Sequence, residues 1–227
     1  MSESSRVYSG LIKRAIDICG ALFGLIVCTP LMLLIAMFIW IKAERPIFYR
    51  EIRIGLQQKP FMLFKFRSMK VQKDRLDASV ASGDDQRILS YGHFLRSSHL
   101  DELPQLYNVL KGDMSLVGPR PYKSSHFERL PDASRRIIAS VKPGLTGLDS
   151  LKFIAEDEAL AGLENPEYVY LKFFLPEKAK LQIHYIQTHS IRADLLLILE
   201  TLHAIFFKHA HQKSVRYLRS LFDNKGK

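Results

Sequence analysis

The sequence predicts a mainly helical α+β fold with one small β-hairpin, attached to a membrane through its N-terminal segment. Three observations carry that expectation. Residues 15–41, AIDICGALFGLIVCTPLMLLIAMFIWI, contain one charge, Asp17, over a length that can cross a bilayer. Residues 46–66 fall into two short extended runs around a polar turn. From Leu103 onward, segments with apolar residues at helical spacing alternate with Pro- and Gly-bearing breaks.

The 227 residues suit one domain with an appendage and can bury a sizeable core. Apolar residues make up 47% and charged residues 25%, but the apolar content is concentrated at the front. A formal charge of +10 implies an anionic partner: nucleic acid, a phosphate-bearing ligand or an anionic lipid surface. Both cysteines, Cys19 and Cys28, lie in the apolar run, which argues against a structural disulfide and for a reducing compartment.

The apolar run is too long for a cleaved signal peptide and lacks a small-x-small cleavage site, so it is a retained membrane segment. Lys13 and Arg14 precede it, and Lys42, Arg45, Arg50 and Arg53 follow, so charge gives no orientation. Thr29-Pro30 lies at its middle, where proline removes a backbone hydrogen bond and favours a kink. Two topologies stand on these residues alone: a kinked helix that spans the bilayer, or one that breaks at Pro30 and returns to the same face.

The elements then follow in order. IFYREIRIG and KPFMLFKF form a hairpin around a turn from Gly55 to Pro60. Lys65-Phe66-Arg67-Ser68-Met69 interleaves cations with aromatic residues, which fits a nucleic-acid surface or a solvated strand edge equally. Residues 70–86 read as a helix followed by a mobile loop. Residues 122–140 read as helical with an interruption at Pro131, and residues 141–147, VKPGLTG, as a turn-rich loop. A helix begins at Glu156 and ends before Asn165-Pro166, and residues 167–187 and 191–208 form two amphipathic helices. The basic tail, 209–227, reads as frayed and either lies on anionic lipid or is merely solubilising.

The densest chemistry runs from Tyr91 to Pro121, YGHFLRSSHLDELPQLYNVLKGDMSLVGPRP. Leu103, Leu106, Tyr107 and Leu110 predict a short helix with Pro104 in its first turn and Lys111-Gly112 at its exit. Asp101 then falls at or near the N-cap, where a helix end favours an ionised carboxylate. Asp113 either caps the following turn or serves a metal. No Walker-type loop, no G-x-G-x-x-G and no Cys/His cluster at zinc spacing occurs, and the histidines are scattered.

These residues resemble the bacterial sugar transferases of the small monotopic phosphoglycosyl transferase type. The resemblance is carried by Lys13-Arg14-x-x-Asp17, Pro46-x-Phe48, Arg53-x-Gly55, the Lys65–Met69 string and Phe94-Leu95-Arg96, and it is densest over LDELPQLYNVLKGDMSLVGPRP. Lys142-Pro143-Gly144-Leu145-Thr146-Gly147 extends it, so that it spans residues 10–207.

It implies transfer of a sugar phosphate from a nucleotide sugar, by resemblance a UDP-sugar, to undecaprenyl phosphate. The transfer passes through a covalent phosphosugar intermediate and releases UMP. Asp101 matches the nucleophile, Glu102 its partner in a carboxylate dyad, and Asp101 also lies beside a magnesium site. Lys65, Arg67, Arg96, Arg120 and Pro121 match the substrate-binding positions.

The resemblance further implies a re-entrant membrane helix broken at Pro30, with amphipathic helices at the interface. Residues 1–45 would be the membrane segment, 46–207 a catalytic domain on the cytoplasmic face of the bacterial inner membrane, and 208–227 a basic tail. The expected partners are the donor, the lipid acceptor and the bilayer, with a homodimer left open and no nucleic acid. One departure stands out. Many relatives follow the glycine loop with a Gln-Val-x-Gly-Arg string, whereas here Leu148-Asp149-Ser150-Leu151-Lys152-Phe153 follows, with Lys152 as a substitute cation. A non-catalytic membrane scaffold is the rival from another class; it has no need of Asp101, Glu102 and Arg120.

Overall fold

The computed structural model describes residues 8–42, 46–70 and 80–223. After a π-helical turn (Tyr8–Ile12), helix α1 (Lys13–Lys42) carries the apolar run, and hairpin β1 (Phe48–Ile54) and β2 (Pro60–Phe66) follows it. Helix α2 (Ser90–Ser97), a 3₁₀ turn (Leu100–Glu102), α3 (Gln105–Lys111) and β3 (Ser115–Val117) make the central stretch. Then come α4 (Ser124–Phe127), α5 (Asp132–Ile138), β4 (Gly144–Thr146), α6 (Leu148–Lys152), α7 (Glu156–Leu160) and α8 (Pro166–Val169). A second π-helical turn (Tyr170–Phe174) leads into α9 (Leu175–Thr188), α10 (Ile191–Phe206) and α11 (Lys208–Asp223). The fold is the expected one, mainly helical with a small antiparallel hairpin.

Helix α1 is about 45 Å long at 1.5 Å per residue, long and apolar enough to cross a membrane. Pro30 sits inside it, where it removes one donor to the carbonyl a turn earlier, and the helix runs through it from Lys13 to Lys42. Beside it, the Thr29 hydroxyl donates to the Leu25 carbonyl at 2.6 Å. One face of α1 packs on the folded domain along its whole length. Ala21 and Leu25 meet Leu106, Val109 and Met114, while Ile35 and Ile39 meet Phe66 and Leu95. The other face is bare, with Ile26 73% and Phe23 69% exposed.

The root of α1 is fixed by polar contacts. Arg14 donates to the Val109 and Leu110 carbonyls in the last turn of α3, at 2.7 and 2.8 Å. Buried Asp17 accepts from the Ser115 hydroxyl and the Leu116 N–H, both at 2.9 Å. Lys13 pairs with Asp194 on α10, which also accepts from the Tyr185 hydroxyl at 2.8 Å.

The hairpin pairs in the register Phe48↔Phe66 to Ile54↔Pro60. Its join to α3 is made by Asn108, whose amide accepts from the Phe64 N–H at 3.1 Å and donates to the Met62 carbonyl at 2.7 Å. Residues 141–147, read as loop, contain β4, which pairs in parallel with β3. Backbone runs so close to backbone there that a Cβ on Gly118 would sit 2.7 Å from the Lys142 carbonyl oxygen.

The tail is not frayed. It forms α11, whose Leu218 is wholly buried in the main core with Phe153, Leu160 and Phe174. Leu218, Leu221 and Phe222 put apolar surface on one side of a segment whose charge dominates its composition. The helix and loop expected over 70–86 fall mostly on residues 71–79, outside the described residues.

Candidate active site

Asp101 and Glu102 occupy the 3₁₀ turn rather than a helix cap. His99 enters the turn in the left-handed region at φ 54°. The N–H groups of Glu102, Leu103, Leu106 and Tyr107 then bond to carbonyls three residues back. Those bonds leave the start of α3 little need of a side-chain cap, and Pro104, not Asp101, stands immediately before it. The exit at Gly112 is as expected, in the left-handed region at φ 97°.

The two neighbouring acids live in opposite environments. Glu102 Oε1 accepts from Lys65 Nζ and Arg120 Nη2, each at 2.5 Å, and Oε2 accepts from Arg120 Nη1 at 3.1 Å. Burial alone would raise its pKa, but the Arg120 and Lys65 charges outweigh that and hold it well below the usual carboxylate range. Arg120 is in turn held more firmly in its charged form by Glu102.

Asp101 is 3% exposed, and its carboxylate has no hydrogen bond or ion pair among the described residues. Burial raises its pKa to about 6; the Glu102 charge adds to the rise, and Lys65, Arg96 and Arg120 restrain it. It is therefore mostly ionised at neutral pH while poorly solvated, a state that suits a nucleophile.

The loop 118–121, GPRP, is held from several sides. Arg53 Nη1 donates to the Pro121 carbonyl at 2.9 Å, and the Ile54 N–H donates to the Tyr122 carbonyl at 3.0 Å. Asp149 accepts the Arg120 N–H at 3.3 Å, while Gln182 Nε2 donates to the Arg120 carbonyl at 3.1 Å and to Asp149 Oδ2 at 2.6 Å. Burial pushes the Asp149 carboxyl up. Lys65 and Arg120 thus meet at the dyad, whereas Pro121 contributes a backbone anchor.

Arg96 acts on the dyad through charge. Its guanidinium pairs with Asp157, with Nε at 2.9 Å from Oδ2, and leans on Met69 Sδ at 3.8 Å. Arg67 lies on the extension of β2, its N–H bonded to the Ile47 carbonyl at 2.9 Å, and does not reach the dyad. Lys152 is exposed and brings no cation inward. A buried cation that does approach from the C-terminal half is Lys178 on α9, paired with Glu156 and lying over the rings of Phe153 and Tyr170 at 5.0 and 5.1 Å. Asp113 is away from the dyad, accepting from Lys111 at 3.0 Å and Asn108 at 3.3 Å.

Sequence reasoning missed Asn108, Asp149, Asp157, Lys178 and Gln182 as parts of this region. A signal existed for two of them. Lys178 and Gln182 stand at spacings of three and seven from Leu175, so the periodicity of α9 puts both on its buried face. A polar residue at a core position needs a partner.

Among the described residues, no group of three or more His, Cys, Asp or Glu side chains converges as a metal cage. Magnesium needs no such cage, since it binds through one or two carboxylates with phosphate oxygens and water. Both Glu102 oxygens are engaged by cations, so the unpaired Asp101 carboxylate is the one that fits.

The profile of the family described as bacterial sugar transferase matches residues 8–208. A UDP-glucose:undecaprenyl-phosphate glucose-1-phosphate transferase of Caulobacter vibrioides is 37% identical over 200 residues, 86% of this chain and 70% of that protein. A transferase of the same name from Escherichia coli is 33% identical over 198 residues, 84% of this chain but 39% of its own length. An undecaprenyl-phosphate galactose phosphotransferase of Salmonella typhimurium is 39% identical over 158 residues, 62% of this chain and 32% of that protein. The chain spans well under half the length of these last two relatives.

Proposed function

The chain belongs to the bacterial sugar transferase family, and from that premise we propose that it moves a sugar phosphate from a UDP-sugar to undecaprenyl phosphate. The observation that carries the mechanism is the contrast at the dyad: a buried Asp101 with no hydrogen-bond partner among the described residues beside a Glu102 locked by Lys65 and Arg120.

In the first step an Asp101 oxygen attacks the phosphorus that bears the sugar. The bond from that phosphorus to the bridging oxygen of the diphosphate breaks, and UMP departs with that oxygen. The product on the protein is an acyl phosphate carrying the sugar. In the second step an oxygen of undecaprenyl phosphate attacks the same phosphorus, and the Asp101 carboxylate is the leaving group. Undecaprenyl diphosphate sugar results, with no change in redox state.

Lys65, Arg96 and Arg120 surround the acidic pair with positive charge, lowering the cost of bringing a diphosphate to a carboxylate. The Arg120–Glu102 fork keeps that guanidinium in one plane and limits it to contacts that its remaining N–H groups can make. Magnesium, held by Asp101 with diphosphate oxygens and water, would supply charge neutralisation at the reacting phosphates.

The packing of α1 supports a monotopic placement. Both ends of the helix rest on the same domain, through Arg14 and Asp17 near the start and Ile35 and Ile39 near the end. Its bare face and the exposed Leu195, Leu196, Leu199 and Leu202 of α10 then lie in one leaflet, with the catalytic domain on the cytoplasmic face. In a background lacking Cys19 and Cys28, cysteines placed at Glu3 and Arg45 are both labelled from the cytoplasmic side. Labelling at position 3 from outside would establish a spanning helix.

The reaction is tested by incubating the full chain with magnesium and a UDP-sugar panel without lipid. One equivalent of UMP and a mass gain of one sugar phosphate are expected for the cognate donor, followed by continuous UMP release on adding undecaprenyl phosphate. UMP release that never occurs without lipid would overturn the covalent intermediate.

A further inference from the structure

Of the four cations at the substrate-binding positions that the resemblance implies, three surround the dyad and one does not. Lys65 and Arg120 are paired with Glu102, and Arg96 with Asp157. Arg67 is 8% exposed, yet its guanidinium donates no hydrogen bond and meets no carboxylate among the described residues, and its Nε is sealed and unpartnered. A buried cation without a counter-charge is costly, and such groups are ordinarily paired.

A second orphan lies next to it. The Tyr91 hydroxyl is buried without a hydrogen-bond partner, on a helix tied to the chain just after Arg67 by the Leu89 N–H to Ser68 carbonyl bond at 3.0 Å and the Met69↔Ile88 bridge, and the Arg67 charge acts on its phenol. The Tyr91 ring meets Phe38 of α1 edge-to-face at 5.5 Å, and Phe38 is 45% exposed on the bare side of the helix. On the other side, Lys65 is two residues back along the same extended chain. Successive side chains alternate there, so Lys65 and Arg67 share a face about 7 Å apart. A continuous line therefore runs from the apolar surface of α1 through Tyr91 and Arg67 to Lys65 and the dyad.

We infer that Arg67 and Tyr91 form an entry site for the phosphate of the lipid acceptor, separate from the cations that hold the donor. The site offers a guanidinium fork and a hydroxyl, the donors that suit a phosphate monoester. Its roof is an apolar helix along which a polyprenyl chain can lie. A water-soluble anion has no use for that roof. This assignment rests on the acceptor proposed above, and it names where that acceptor docks.

The experiment separates the two half-reactions in the full chain embedded in nanodiscs. Arg67→Gln and Tyr91→Phe are expected to raise the KM for undecaprenyl phosphate about tenfold and about threefold, respectively, while the donor KM and the lipid-free UMP burst change less than twofold. Loss of the burst, or an unmoved acceptor KM, overturns the site. Arg67→Lys restores part of the acceptor KM if charge is what the site supplies; a lysine variant no better than glutamine and equally poor with donor indicates a packing role and also overturns it.

Should the unaltered chain release no UMP, the reaction reading fails, and the site is still decided by binding. Native mass spectrometry in phosphatidylglycerol nanodiscs is expected to show undecaprenyl phosphate retained by the unaltered chain and lost in Arg67→Gln. Retention that is equal in both, or displaced by millimolar inorganic phosphate, overturns the lipid assignment.

Discussion

Two regions of this protein are built on buried aspartates, and they use them in opposite ways. At the root of α1, Asp17 accepts from Ser115 and Leu116, and Asp194 from Lys13 and Tyr185. At the dyad, Asp101 is as buried as Asp17 and accepts none among the described residues. Pairing makes a buried acid a fastener, because its desolvation is offset only while its partners stay in place. Leaving it unpaired makes it costly and chemically available. The same side chain, at the same 3% exposure, serves anchoring in one place and, on the mechanism proposed above, reaction in the other.

The sharpest way to break that comparison is Asp101→Asn. Turnover and covalent trapping should fall at least about a thousandfold, since the amide cannot attack phosphorus. Stability at pH 8 should not fall and should rise by about 1–3 kcal/mol, because the ionised carboxylate sits in a site that raises its pKa. Denaturant melts beside UMP release measure both, and a variant that loses stability together with activity would put Asp101 among the fasteners.

Glu102→Gln should cost on both counts. It leaves Arg120 and Lys65 facing a neutral amide, so turnover should drop about a hundredfold and stability by about 3 kcal/mol. A variant with full stability would mean that the clamp is not structural.

Acid should separate the two carboxylates next. Asp101 binds its proton more tightly folded than unfolded, so its contribution favours the fold at low pH and is lost as pH rises from about 4 to about 6. Glu102 has the opposite sign: its contribution is present above its unfolded pKa and disappears as pH falls through its lowered folded value. Activity follows Asp101. The initial burst should decline about tenfold per unit below pH 6, with no matching decline in helical signal.

The smallest effect belongs to the fastener. Asp17→Asn keeps the size of the group but weakens its acceptance from Ser115 and Leu116, for a loss of about 1–3 kcal/mol. The catalytic burst per folded molecule should stay within about twofold, as read by active-site titration after a thermal challenge. A burst that falls as far as in Glu102→Gln would show that the root and the dyad are one unit.

The parts of this design that were legible in the sequence share a local cause. The apolar run, the hairpin, α3 and the Gly112 exit each follow from residues within a few positions of one another. The misreadings are long-range. Asp101 looked like a cap because the helix period begins at Leu103; the 3₁₀ bonding that displaced the helix start leaves no mark on that period. The loop at 141–147 contains β4 because its partner β3 lies some thirty residues earlier and the pairing is parallel. Lys152 was the nearer candidate for the missing cation, but the buried one is Lys178, brought in by the packing of α9. In α11 the charge of the segment concealed its apolar face, on which Leu218 closes the main core.

The root of α1 also bears on how the chain is made. Asp17 finds its partners at Ser115 and Leu116, 98 and 99 positions later. At translation rates of about 5–20 residues per second, a ribosome takes roughly 5–20 s to reach them. During that interval α1 carries an acid whose partners in the fold have not yet been made. On the membrane placement proposed above, α1 meets the bilayer before the partners of Asp17 have been made, with Asp17, Lys13 and Arg14 at the headgroup level, and the rest of the domain assembles onto an anchor already in place.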